Sequence, residues 1–224
     1  MSVLSIPLRS DGESRGAITL ERLRSKVYSD KDIRLLKLLC SKISTILNWQ
    51  ESYKKVHITS IHDGLTGLLN HKAFMNRFKE EVSRAGRFNQ MFGLIILDLD
   101  KFKSINDSYG HLYGDYVLEE VAKIISESVR TIDVVGRYGG EEFAVLLINS
   151  DIEDCLPVAE RIVTSIGAKT FLKSGIATNI TISGGMAGFP RHDEQAEGLI
   201  EKADKAMYET KSIGGDGVTI TTDA

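Results

Sequence analysis

Several things this chain has little of narrow its possible functions. It holds only two cysteines, Cys40 and Cys155, far apart and without metal-type spacing, which excludes a disulfide framework and a cysteine zinc site. Its five histidines, His57, His62, His71, His111 and His192, include no i,i+4 pair able to grip a metal from one helix face. No apolar run approaches the roughly 18 to 20 residues that span a bilayer, and residues 1–15 contain no signal-peptide core. A cytoplasmic location with no membrane segment is therefore expected. What is present, 42% apolar and 26% charged residues in 224, is the mix of a globular protein rather than a disordered one. The length allows one large domain, or an ordinary domain with an appendage.

Charge is unevenly spread. Residues 1–56 hold 11 Lys and Arg against 6 Asp and Glu, which leaves 17 against 25 in the remainder. The larger part is thus acidic and is no basic nucleic-acid surface. If it handles phosphates, it needs metal ions to neutralise them.

Residues 3–7 and 16–20 read as two short strands joined by a polar turn. Ser29-Asp30-Lys31-Asp32 is a variant capping box, and nothing breaks a helix from there to about Val56. Apolar residues fall at Ile33, Leu36, Cys40, Ile43 and Leu47, and a second stripe at Ile46, Trp49, Tyr53 and Val56. About 27 helical residues would extend about 40 Å, too far for two strands to cover. This helix either packs on further core or forms a parallel coiled coil between two copies. A compact turn at 62–70 leads into a helix to about Arg87. The unbroken apolar run from Phe92 to Asp98 reads as a buried central strand. Then follow a helix over 114–129, strands at 132–136 and 142–148, a helix over 152–167, a strand at 178–187, a helix over 195–210 and a last strand at 217–221. From residue 92 the order is βαββαβ, an α+β, ferredoxin-like antiparallel sheet backed by helices.

Two acidic clusters carry the chemistry. Asp98-Leu99-Asp100 ends the buried strand, and alternate strand side chains share a face, so Asp98 and Asp100 are expected to point together. Gly139-Gly140-Glu141-Glu142 puts two acids directly after a glycine turn. If these strands are neighbours, the carboxylates converge and repel unless a hard cation lies between them. Glycines there leave room for a ligand to approach the backbone.

Arg137-Tyr-Gly-Gly-Glu-Glu-Phe143 resembles the signature hairpin of the GGDEF domain, the diguanylate cyclase family, in its GGEEF form. Asp63-Gly-Leu-Thr-Gly-Leu-Leu-Asn70, Asp98-Leu-Asp-Lys-Phe-Lys-Ser-Ile-Asn-Asp-Ser-Tyr-Gly-His-Leu-Tyr-Gly-Asp115 and Ala203-Asp-Lys-Ala-Met-Tyr-Glu-Thr-Lys211 resemble that family's opening turn, metal and base segment, and closing helix, in order over about 60–217. The resemblance implies a nucleotidyl-cyclase palm that condenses two GTP into cyclic di-GMP with release of two pyrophosphates. It implies two Mg²⁺ (or Mn²⁺) per active site, held by Asp98, the Leu99 carbonyl, Glu141 and Glu142. Glu141 and Glu142 are the implied catalytic pair, with Glu142 completing the second metal position or helping to deprotonate the attacking 3′-hydroxyl. Lys103 and Lys211 are implied at the triphosphate, Gly139 and Gly140 beside it, and Asn106 and Asp115 at guanine. His111 is expected to orient its loop. A carboxylate accepts both donors of the guanine edge and would repel adenine N1, so Asp115 favours GTP over a mixed product.

The resemblance extends to regulation. Arg130-Thr-Ile-Asp133 matches an RxxD site at which the product inhibits, and Arg161 the place of a second arginine, often from a neighbouring subunit. One departure stands out: Gly215 and Asp216 replace the usual Arg and Asn after Gly214, so one triphosphate contact is lost and an acid is expected nearby. Because each domain holds one GTP, the reaction needs a homodimer. Residues 1–47 resemble, more weakly, the last part of a GAF sensory domain, whose remainder the chain is expected to lack; 48–60 would be a helical linker and 61–224 the catalytic domain. The alternative is a non-catalytic GGDEF module that binds GTP or cyclic di-GMP and regulates a partner.

Overall fold

The computed structural model describes residues 2–10, 13–23 and 28–222. They form two compact units, Met1–Ser60 and Ile61–Ala224. In the first, β1 (Ser2–Ser10) pairs antiparallel with β2 (Glu13–Arg22), and α1 runs from Asp30 to Ile61. The capping box forms as expected: the Asp32 amide donates to Ser29 Oγ at 3.2 Å, and the Ser29 amide and hydroxyl both donate to the Asp32 carboxylate at 2.9 Å. Leu36 and Cys40 are buried, whereas Leu35, Leu38, Leu39 and Ile46 of α1 are exposed. The side chains of Leu47, Trp49, Tyr53 and Val56 lie outside the described residues.

The second unit opens with α2 (His71–Phe88), β3 (Phe92–Leu99), α3 (Phe102–Tyr109), α4 (His111–Glu127), β4 (Val134–Arg137) and β5 (Glu142–Ile148). It continues with α5 (Ile152–Ala168), β6 (Phe171–Lys173), β7 (Ile176–Thr178), β8 (Ile182–Phe189), α6 (Ala196–Ser212) and β9 (Gly217–Ile220). The main sheet has the order β4-β5-β3-β8-β9. Its first four strands are the expected antiparallel βαββαβ core, but β9 pairs parallel to β8, so the sheet is mixed at that edge. Two further elements depart from the sequence reading. Helix α3 falls on Ser104, Asn106, Asp107 and Ser108, which favour turns; its Phe102 and Ile105 are buried one turn apart, and that packing decides the conformation. The β6–β7 hairpin turns through Ser174 and Gly175, both at positive φ (53° and 81°), the geometry of a two-residue hairpin loop.

β3 is apolar up to Asp98 because both its faces are covered. Ile95, Leu97 and Leu99 join Val117, Val121, Phe143, Val145 and Ile162 in one core. Leu94 and Ile96 join Phe74, Phe78, Leu146, Leu199 and Ala203 in the other. Where β8 crosses α6 the backbones nearly touch: a Cβ on Gly185 would lie 2.0 Å from the Ala203 carbonyl oxygen and 2.2 Å from the Met207 nitrogen. Backbone atoms on both sides cannot yield as a flexible side chain would. Gly185→Ala should therefore destabilise the second unit by about 3 kcal/mol, read as a lower urea midpoint at unchanged slope.

Candidate active site

The register of the sheet assembles the acids. Asp98, one residue from the end of β3, pairs with Glu142, the first residue of β5. Directly opposed like charges are unfavourable on a sheet, and this pair persists because the apolar remainder of both strands fixes the alignment. The β4–β5 turn is tight: the Tyr138 and Gly139 amides both donate to the Glu142 carbonyl, at 2.8 and 3.2 Å. A Cβ on Gly139 would lie 2.1 Å from Glu142 Oε2, so a side chain there would displace that carboxylate. Beside Gly140 there is open space.

Glu141 completes the cluster. Burial pushes its carboxyl above the usual range, Asp98 and Glu142 push it further, and Lys211 pulls it down. Lys211 at the end of α6 forms an ion pair with Asp98. The Leu99 side chain is buried and has no donor atom, so its carbonyl is the group that could serve a metal, and its amide donates to the Glu141 carbonyl at 3.3 Å. Among the described residues no three His, Cys, Asp or Glu side chains converge closely enough to hold a metal by themselves. The donor set still suits magnesium, which keeps several waters and is bound through one or two carboxylates plus substrate phosphates.

The remaining expected substrate residues follow directly on β3. Lys103 lies exposed on the first turn of α3. Asn106, one turn on, covers Gly114: a Cβ there would lie 2.0 Å from Asn106 Oδ1. Asp115, half-buried, is the next residue, so the two guanine candidates flank one bare stretch of α4. His111 is exposed at the start of α4.

The expected inhibitory residues also group together. The Asp133 carboxylate accepts from the backbone amides of Arg130 (2.8 Å) and Ile148 (3.0 Å). It thus ties the turn to β5 instead of pairing with the Arg130 guanidinium. Arg161 donates to the Ser128 carbonyl at 2.6 Å, which brings it to the same turn from within the chain.

One expectation is corrected. Asp100 does not join Asp98: its carboxylate accepts from Thr181 Oγ1, Ser183 Oγ and the Asp216 amide. The Asp216 carboxylate lies beside α5, 3.4 Å from where a Cβ on Gly167 would stand.

The sequence reading also gave no role to Arg137, Asp63 or Asp204. Arg137 donates through Nε and Nη2 to the Gly140 carbonyl (3.2 and 2.7 Å) and through Nη1 to both Asp63 oxygens (3.1 and 3.2 Å). This guanidinium braces the acidic turn against the opening turn. Burial pushes the Asp63 carboxyl up, but bonds from the Thr66 amide and hydroxyl and from Arg137 outweigh it and hold the carboxyl below its usual range. The signal available was Asp63-x-x-Thr66, an Asx-type turn. Asp204 on α6 is pushed up by burial, with Glu142 adding to the effect; nothing in its helical position points to that neighbour.

Residues 60–217 match the family described as "Diguanylate cyclase, GGDEF domain". Diguanylate cyclase A of Treponema denticola is 34% identical over 224 residues, covering 96% of this chain and 58% of that protein. The chain thus spans little more than half of that relative. Among solved structures, the coiled coil and GGDEF domain of DgcB from Caulobacter crescentus, in complex with c-di-GMP, is similar at TM-score 0.77 and 28% identity, over 84% of this chain and 99% of that one. The active GGEEF domain of a diguanylate cyclase from Vibrio cholerae is similar at TM-score 0.66 and 29% identity, over 70% and 99%.

The Asp63–Arg137 brace makes a pH-dependent prediction. A carboxyl held low in the folded state stabilises above its unfolded pKa, near about 3.9, and that contribution is lost as pH falls through the lower folded value. Asp63→Asn should cost about 1 to 3 kcal/mol at pH 7, and its deficit against the parent should shrink as the pH falls below about 4, read by urea denaturation across a pH series.

Proposed function

Because the chain belongs to the GGDEF family, we propose that it is a diguanylate cyclase of the GGEEF variant, condensing two molecules of GTP into cyclic di-GMP with release of two pyrophosphates. The single observation that carries this reading is the Asp98–Glu142 register, which sets Glu141, Glu142 and Asp98 around an open glycine turn with Lys211 at its edge. Asp98, Glu141, Glu142 and the Leu99 carbonyl would hold two divalent cations, Mg²⁺ or Mn²⁺, which would supply charge neutralisation on the attacking and leaving oxygens. The protein's own groups do the rest. Lys103 and Lys211 bind the triphosphate as point charges, and Gly139 and Gly140 let it approach the backbone. Asn106 and Asp115 read the guanine edge, His111 orients the loop between α3 and α4, and Glu142 completes the second metal position or helps to deprotonate the 3′-hydroxyl.

One site holds one GTP, so product needs two copies face to face, with α1 aligning them as a homodimer through its exposed Leu35, Leu39 and Ile46. Residues 1–47 act as the end of a GAF-like sensor and 48–60 as the linker that passes its state to 61–224. Cyclic di-GMP returns as an inhibitor at Arg130, Asp133 and Arg161. The Arg130 guanidinium makes no hydrogen bond or ion pair to another described residue, which leaves it available for a phosphate or a guanine edge.

Purified protein incubated with GTP and Mg²⁺ should yield cyclic di-GMP by nucleotide chromatography. No product at any concentration, with the dimer verified, would overturn the enzyme reading in favour of a binding module. Glu142→Gln should lower turnover by about 100-fold or more with the thermal midpoint unchanged. Arg130→Ala should leave the initial rate alone and abolish slowing by added cyclic di-GMP; inhibition equal to the parent would reject that site.

A further inference from the structure

Asp100 stands two residues beyond Asp98, and its bonds lead away from the acid cluster. Its Oδ2 accepts from Thr181 Oγ1 at 2.7 Å and from the Asp216 amide at 3.1 Å, and its Oδ1 from Ser183 Oγ at 2.7 Å. Thr181 and Ser183 flank the start of β8, and Asp216 lies between α6 and β9. One carboxylate therefore joins three segments, with three donors shared between its two oxygens.

The segment it clamps is the end of α6. There the Gly215 amide donates to the Thr210 carbonyl (3.1 Å) and the Gly214 amide to the Lys211 carbonyl (3.2 Å), the paired bonds of a Schellman cap. Gly214, Gly215 and Asp216 all have positive φ (121°, 77° and 55°), a region that glycine enters freely and aspartate tolerates better than most residues. The fit against Asp100 is close: a Cβ on Gly215 would lie 3.0 Å from both its oxygens and from Ser183 Oγ. Lys211 is part of the same cap through its carbonyl, and its ammonium pairs with Asp98. A continuous set of bonds thus runs from Asp100 through the turn to the backbone of Lys211.

We propose that Asp100 is a positioning residue for the substrate triphosphate, acting through Lys211. It holds the Gly214–Asp216 turn closed, which fixes the last turn of α6 and keeps the Lys211 ammonium at the acid cluster. The proposal rests on the GTP-condensing reading and deepens it. Lys211 is the basic residue of the last turn of α6, and Gly215 and Asp216 after it bring no cation, so its placement bears directly on GTP affinity.

The test is binding of a non-hydrolysable GTP analogue with Mg²⁺ to the full chain, followed by calorimetry. Asp100→Ala should weaken binding by about tenfold, the scale of one charge-assisted contact. Lys211→Ala should weaken it comparably, and the double variant no further than Lys211→Ala alone, because residues acting through one contact are non-additive. Asp100→Asn, which keeps an acceptor oxygen and the side-chain size, should recover most of the affinity. If Asp100→Ala fails to fold, Ser183→Ala removes one donor and should give a smaller loss in the same direction. Parent-like binding by Asp100→Ala, or full additivity with Lys211→Ala, would overturn the positioning role alone. A parent chain that binds no GTP overturns the nucleotide reading itself.

Discussion

The site depends on one alignment, Asp98 against Glu142 across two antiparallel strands. Opposed carboxylates repel and by themselves would favour a slip in register. A one-residue slip, however, would turn every side chain of β3 to the other face. Both faces of β3 are packed, with Leu94 and Ile96 on one side and Ile95 and Leu97 on the other, so a slip would disturb two cores at once. The apolar run holds the charges where their chemistry is useful. Lys211 offsets part of the repulsion from the far end of the chain.

Around that alignment the protein uses polar braces that begin outside the cluster. Arg137 links the Gly140 carbonyl to Asp63, so the position of the acidic turn depends on the first turn after α1. Asp100 links β8 to the loop before β9. Neither brace need touch a substrate. Each fixes a segment that carries a group expected to do so, the hairpin glycines in one case and Lys211 in the other.

Much of this was legible in the sequence, and what was missed has a common cause. The apolar run ending in Asp98 and the Gly-Gly-Glu-Glu turn showed a buried strand beside a hairpin, because burial on both faces and tight turns leave local signatures. Helix α3 was lost because Ser104, Asn106 and Asp107 favour turns locally, while the packing of Phe102 and Ile105 that overrides them is tertiary. Asp100 was placed with Asp98 because strand alternation predicts a shared face. The deciding partners, Thr181, Ser183 and Asp216, lie about 80 to 116 residues away in sequence. The role of Arg137 was hidden in the same way, since Asp63 is 74 residues before it.

The double burial of β3 also bears on how the molecule moves. A strand packed into two cores opens only when most of the unit opens with it, so its amides belong to the most protected class. The β4–β5 turn is fastened to that strand as well: the Leu99 amide bonds the Glu141 carbonyl, and Tyr138 packs on the second core beside Phe74. Asp98 and Glu141 therefore stand on the same rail, and the amides of the acidic turn are expected to exchange with those of β3 rather than with a free loop.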